Sequence, residues 1–161
     1  MALVLCRIDD RLIHGQVVVG WGRPLEIDRI VLIDDEVAGS PFEQDLYRMA
    51  VPEQVGVEFL AVADAGDRVA ALAASDQRVL VLTGSVEAMA ALARARPEIV
   101  RAINVGGLHE RPGRKEYLRY VYATAGEMAV LASLAEEGVR VSAQDLPDAR
   151  PVPIEAWRGP S

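Results

Sequence analysis

Residues 3 to 17 read Leu3-Val4-Leu5-Cys6-Arg7-Ile8-Asp9-Asp10-Arg11-Leu12-Ile13-His14-Gly15-Gln16-Val17. An apolar run of strand length turns abruptly polar at Asp9, then gives one histidine followed by glycine where a helical period begins. Strand, charged loop and helix start are the local shape of an anion site. In an open parallel sheet, ligands lie beyond the carboxyl ends of strands, where helix N-termini present unpaired N–H groups and a positive dipole end.

The same alternation continues outward from this stretch. Further strands are expected at residues 28–33, 55–62, 78–82, 99–105, 117–122 and 139–143, and helices at 15–22, from Ser40-Pro41 onward, at 64–74, from Ser85 to about 96, and at 124–137. Ser40, Pro41 and Glu43 have the spacing of an N-cap, a first-turn proline and a capping box. Near-continuous apolar strands separated by helices predict an open, mostly parallel α/β sheet of six to seven strands with helices on both faces. No repeat or linker interrupts residues 1–161, which read as one domain with a proline-containing tail from about residue 147. Whether Trp157 anchors that tail is not legible.

With 161 residues, about half of them hydrophobic, the chain has core enough to fold alone. A net charge of -7 argues against nucleic acid as a partner, because phosphate-backbone binding needs a basic field. The single cysteine, Cys6, lies in an apolar strand and reads as a buried, inert thiol. Without a secretory pattern or an apolar run approaching the roughly 20 residues that span a bilayer, the expected location is cytoplasmic. Two histidines with no cysteine or acidic ligand spacing make no metal site, and no cofactor is expected.

His14 is the candidate around which chemistry is built. Asp9 or Asp10 can take one ring N–H and leave the other nitrogen as a nucleophile, while Arg11 supplies a planar fork for phosphate oxygens. Gly15 removes a side chain that would crowd phosphate, and the amides of Gly15, Gln16 and Val17 can approach it. Thr83 and Ser85, and the pair Gly106 and Gly107, follow other strands and are further donors to the same crevice, although a helix cap and a tight turn explain them equally. His109, among Glu110, Arg111, Arg114 and Lys115, reads as a solvated surface residue or the edge of a docking surface.

Asp34-Asp35-Glu36 after an apolar strand suggests the magnesium-binding acids of a receiver domain. That reading needs a lysine ending a later strand, and residues 104–107 end instead in Asn-Val-Gly-Gly. No GxxxxGK[ST], strand-borne GxGxxG or GxSxG is present, so common nucleotide and hydrolase chemistries lack support.

Residues 7–17, with Trp21 shortly after, resemble the phosphorylation-site segment of the enzyme IIB subunits of the mannose/fructose/sorbose class of bacterial sugar phosphotransferase systems. Residues 33–38 resemble that family's second strand and turn, and residues 104–108 its Asn-Val-Gly-Gly segment, with Leu108 where methionine is common. The resemblance implies that His14 is the phosphoacceptor, through Nδ1, with Arg11 beside the phosphate and Asp10 or Asp9 positioning loop or ring. It implies a phosphohistidine on a IIA protein as donor, and as acceptor a sugar held by the membrane subunits IIC and IID, through which the chain would associate with the inner membrane face. Self-association and the identity of the sugar stay open. A regulatory or anion-binding module on the same fold is the alternative.

Overall fold

The computed structural model describes residues 3–158. Strands β1 (Leu3–Asp9), β2 (Arg29–Ile33), β3 (Gly56–Leu60), β4 (Val79–Thr83), β5 (Ala102–Gly107) and β8 (Arg140–Ala143) pair in parallel, and β9 (Val152–Pro153) adds antiparallel to β8. The order across this seven-stranded sheet is β3-β2-β4-β1-β5-β8-β9.

Alternate residues of each strand enter different cores, as the pleat requires. Val31, Ile33, Val79 and Val81 pack with α3 (Val62–Ala73), α4 (Val86–Ala95) and α5 (Ala125–Glu136) on one face. Ile30, Leu32, Leu80 and Leu82 pack on the other face with Val17, Val18 and Trp21, and with Val37 of the short α1 (Asp35–Ala38). Each such fully buried aliphatic contributes about 1.5–3 kcal/mol, so doubly covered apolar strands are the main stabilising element here.

The helix starts follow their caps. Ser85 Oγ accepts from Ala88 N–H at 3.1 Å, and Ser40 Oγ accepts from Glu43 N–H at 3.2 Å to begin α2 (Pro41–Met49). Both halves of a capping box close at Thr124 and Glu127.

Four elements differ from their sequence expectation. The first helix is a π-helical segment, Gln16–Gly22, whose wider turn buries the adjacent pairs Val17, Val18 and Trp21, Gly22. β5 begins at Ala102 instead of residue 99 and extends beyond residue 105 through Gly106 and Gly107. The strand expected at 117–122 is a separate antiparallel hairpin, β6 (Lys115–Leu118) with β7 (Val121–Ala123), turning at Arg119 and Tyr120. Its place in the sheet goes to the tail: Val152 and Pro153 form the edge, and Trp157, itself buried, donates from Nε1 to Val152 O at 2.9 Å. A pattern of apolar residues marks a strand without naming its neighbour.

β1 is central, between β4 and β5. The connection leaving β1 covers one face, whereas those leaving β4 and β5 lead to helices on the other. This divergence opens a crevice at the carboxyl end of β1.

Candidate functional site

Residues 10–15 cross that crevice. Leu12 sits in the left-handed region at φ 62, an uncommon conformation for a branched side chain, and its methyl end presses on Gly84 of the β4–α4 turn. The resulting bend presents His14 at the rim with its side chain 22% exposed.

Nδ1 of His14 lies 2.8 Å from the Leu12 carbonyl oxygen. A carbonyl only accepts, so Nδ1 carries the hydrogen in this arrangement. Nε2 points inward, buried and without a hydrogen-bond partner, 3.9 Å from Asp9 Oδ2. The carboxylate expected to orient the ring is therefore Asp9, standing just beyond bonding distance.

Asp9 is fully buried between two arginines. Arg11 grips it with a parallel fork, Nε to Oδ1 at 3.0 Å and Nη2 to Oδ2 at 2.8 Å, and spends Nη1 on Gln16 Oε1 at 2.8 Å. The fork expected to meet phosphate is occupied by Asp9 at rest. That carboxylate raises the Arg11 pKa through its hydrogen bonds.

On the other side, Arg7 is completely buried inside β1. Its guanidinium donates to Asn104 Oδ1, to Gln144 O at 2.9 Å and to Asp145 O at 3.1 Å, with Asp9 Oδ2 at 3.5 Å, and stacks 4.7 Å from the Trp21 ring. Burial pulls its pKa down to about 10, still charged at neutral pH. Arg7 thus ties β1, β5, the segment after β8 and the π-helical segment to one buried cation.

Asp10 turns away from His14. With its side chain only 4% exposed, it accepts from the His109 backbone N–H at 2.8 Å and from His109 Nδ1, with Arg114 Nη1 at 3.4 Å. Arg114 also forks onto Glu127 at 3.1 and 2.9 Å. The two adjacent aspartates are divided: one serves the ring, the other the 108–114 loop.

The description "PTS system sorbose subfamily IIB component" matches residues 3–157. The chain belongs to this family. The N-acetylgalactosamine-specific phosphotransferase enzyme IIB component 2 of Escherichia coli K12 is 32% identical over 145 residues, covering 90% of this chain and 91% of that protein. The mannose-specific EIIAB component of the same organism is 28% identical over 88% of this chain, which corresponds to 43% of its length. Among solved structures, manxB from Thermoanaerobacter tengcongensis superposes with a TM-score of 0.85 at 30% identity, covering 96% of this chain and 93% of that one.

In this IIB component the remaining expected residues divide between the rim of the crevice and its support. Gly15 has open space around it, and Gln16 bridges Arg11 to Asp145 Oδ1 at 3.0 Å. The Val17 N–H is already taken by His14 O at 3.1 Å, so among the three expected amides it is not free to donate elsewhere. Thr83 donates to Ser85 O at 2.9 Å and Ser85 caps α4, so both hydroxyls build the turn beneath Leu12. Gly106 and Gly107 make room for their neighbours: a Cβ on Gly106 would stand 1.8 Å from Arg7 Cζ, and one on Gly107 would stand 3.0 Å from Asp9 Oδ1.

Two participants escaped the sequence reading. Arg7 could have been noticed as a lone cation inside an apolar strand. Arg114 was read with a basic surface loop, yet its side chain is 6% exposed and neutralised by Asp10 and Glu127. Among the described residues no group of His, Cys, Asp and Glu is arranged for a metal, and no helix is long and apolar enough to cross a membrane.

The acid pair has a measurable consequence. Burial pushes the Asp10 carboxyl up, but the hydrogen bonds from His109 and the charges of His109 and Arg111 outweigh it and hold the pKa below the usual range. Glu127 is likewise lowered, burial being outweighed by Arg114 and the Thr124 N–H. Groups with depressed folded pKa values add stability above the unfolded carboxyl pKa of about 4, and that stability is lost as pH falls through the folded values. Urea unfolding from pH 7 to pH 3 is therefore expected to show a smaller acid loss in Glu127→Gln than in the wild type; equal pH slopes would contradict this assignment.

Proposed function

We propose that this chain is the phosphocarrier of a sugar phosphotransferase system, with His14 as the residue that holds the phosphoryl group. The observation that carries this reading is the imidazole at the rim of the crevice after β1, with a buried carboxylate behind it and an arginine and two first-turn amides beside it. The donor is a phosphohistidine on a IIA protein. The acceptor is a hydroxyl of a sugar held by IIC and IID, with which this chain associates at the membrane.

The geometry supports Nδ1 as the acceptor nitrogen through a shift of tautomer. With its proton on Nε2, the ring satisfies that buried nitrogen by closing the 3.9 Å gap to Asp9. Nδ1 then carries a lone pair, is repelled by the Leu12 carbonyl and is released from it at the rim while Nε2 stays against Asp9. The pair attacks phosphorus, the N–P bond to the donor imidazole breaks, and no proton need move in that step. Transfer through a loose transition state asks mainly for positioning and charge stabilisation. Arg11 and the Gly15 and Gln16 amides supply both, the arginine exchanging part of its Asp9 contact for phosphate oxygen.

Incubation with a phosphorylated IIA protein, followed by mass mapping of acid-labile phosphate, tests the assignment to His14. Arg11→Lys checks the fork: charge-assisted hydrogen bonds are worth about 1.5–3 kcal/mol each, so transfer from IIA is expected to slow by about 10–100-fold. Transfer at the wild-type rate would remove Arg11 from the phosphate site.

A further inference from the structure

Resting on the phosphocarrier reading, we propose that His109 is the general base for the second half of the reaction, taking the proton from the hydroxyl that receives the phosphoryl group. The two half-reactions differ chemically. Passing a phosphoryl group between imidazoles needs only a lone pair, whereas an attacking hydroxyl must lose its proton as the O–P bond forms.

His109 is exposed, at 57% of its side chain, but it is not loose. Asp10, whose side chain is almost fully buried, commits both carboxylate oxygens to it, one to the backbone N–H and one to Nδ1. Arg114 holds the His109 carbonyl at 2.8 Å. A carboxylate only accepts, so Nδ1 carries the hydrogen and the neutral ring keeps its lone pair on Nε2, on the side away from Asp10. This is the orientation by which a buried aspartate fixes the tautomer of a catalytic histidine.

His109 also shares a polar cleft of about 250 Å³ with Arg11 and Gln16 of the phosphorylation segment, and with Arg119, Tyr120 and Asp145. The cleft therefore joins the oriented imidazole to Arg11 and Gln16, which the phosphocarrier reading sets beside the phosphate on His14, and it is here that the hydroxyl would enter. Its O–H bond breaks toward His109 Nε2, the O–P bond forms, and the N–P bond to His14 breaks with its electron pair returning to the ring. The proton then leaves Nε2 through the exposed edge to solvent.

The test uses water as the hydroxyl acceptor. Wild type and His109→Gln are charged by phosphorylated IIA, the donor is removed, and acid-labile phosphate on His14 is followed with time. Both are expected to charge alike, and the variant then to lose phosphate more slowly by on the order of 100-fold. Asp10→Asn, which removes the orienting charge, should move the decay in the same direction. Decay of the His109→Gln phosphoprotein at the wild-type rate or faster overturns the inference and leaves the carrier assignment standing, as does failure of that variant to charge. Failure of the wild type to charge on His14 overturns both.

Discussion

His14→Ala takes up no acid-labile phosphate from phosphorylated IIA, a loss expected to exceed about 10⁴-fold, the scale on which removal of a nucleophile is felt. Neither adjacent aspartate can substitute. Asp9 is buried and clamped by Arg11, and the Asp10 carboxylate is taken by His109 and Arg114. The variant should remain folded, because the ring contributes one hydrogen bond to Leu12 O and is partly exposed. A change within about 1 kcal/mol in urea unfolding separates lost chemistry from lost structure. Phosphate on the variant at wild-type stoichiometry would mean that another residue is the carrier.

Gly106→Ala is the largest structural effect expected from a single methyl group. The added carbon would overlap the Arg7 guanidinium, at 1.8 Å from Cζ and 1.9 Å from Nη2. Arg7 has no free space to retreat into, since it is held by Asn104, two backbone carbonyls and the Trp21 face. Overpacking alone costs about 1–3 kcal/mol, and a displaced buried cation leaves Asp9 and the 144–145 carbonyls short of a donor, for which about 3–5 kcal/mol is usual. A loss of at least about 3 kcal/mol is expected, together with weaker phosphate uptake as Asp9 and Arg11 shift. Gly15→Ala is the control: nothing lies within 4 Å, and its φ of -53 and ψ of -41 suit any residue. Its unfolding midpoint should stay near that of the wild type. A wild-type midpoint for Gly106→Ala would show that Arg7 is not confined as described.

Residues 104–107 illustrate what a local pattern leaves out. The glycines stand beside Arg7 and Asp9, where a Cβ would crowd both side chains. Sequence separation hid the reason, because Arg7 and Gly106 meet only through the pairing of β1 with β5. The adjacent acids behave similarly. Either aspartate could orient His14 on sequence grounds, and only the emergence of Asp10 from β1 toward the 108–114 loop assigns it to His109. His109 itself looked like surface because an exposed residue and an exposed, oriented residue have the same local sequence.

By itself the sequence determined the layering and the end of the sheet at which the charged loop meets a helix start. Alternating apolar strands bury both faces whatever their order, and a strand that turns polar before a helix start carries its own anion-site geometry. Strand order, the partners of Arg7, Asp9 and Asp10, the tail as edge strand and the hairpin at residues 115–123 were decided only by the tertiary structure. Each depends on contacts between distant residues, and a one-dimensional pattern records which side chains must be buried or paired but not with whom.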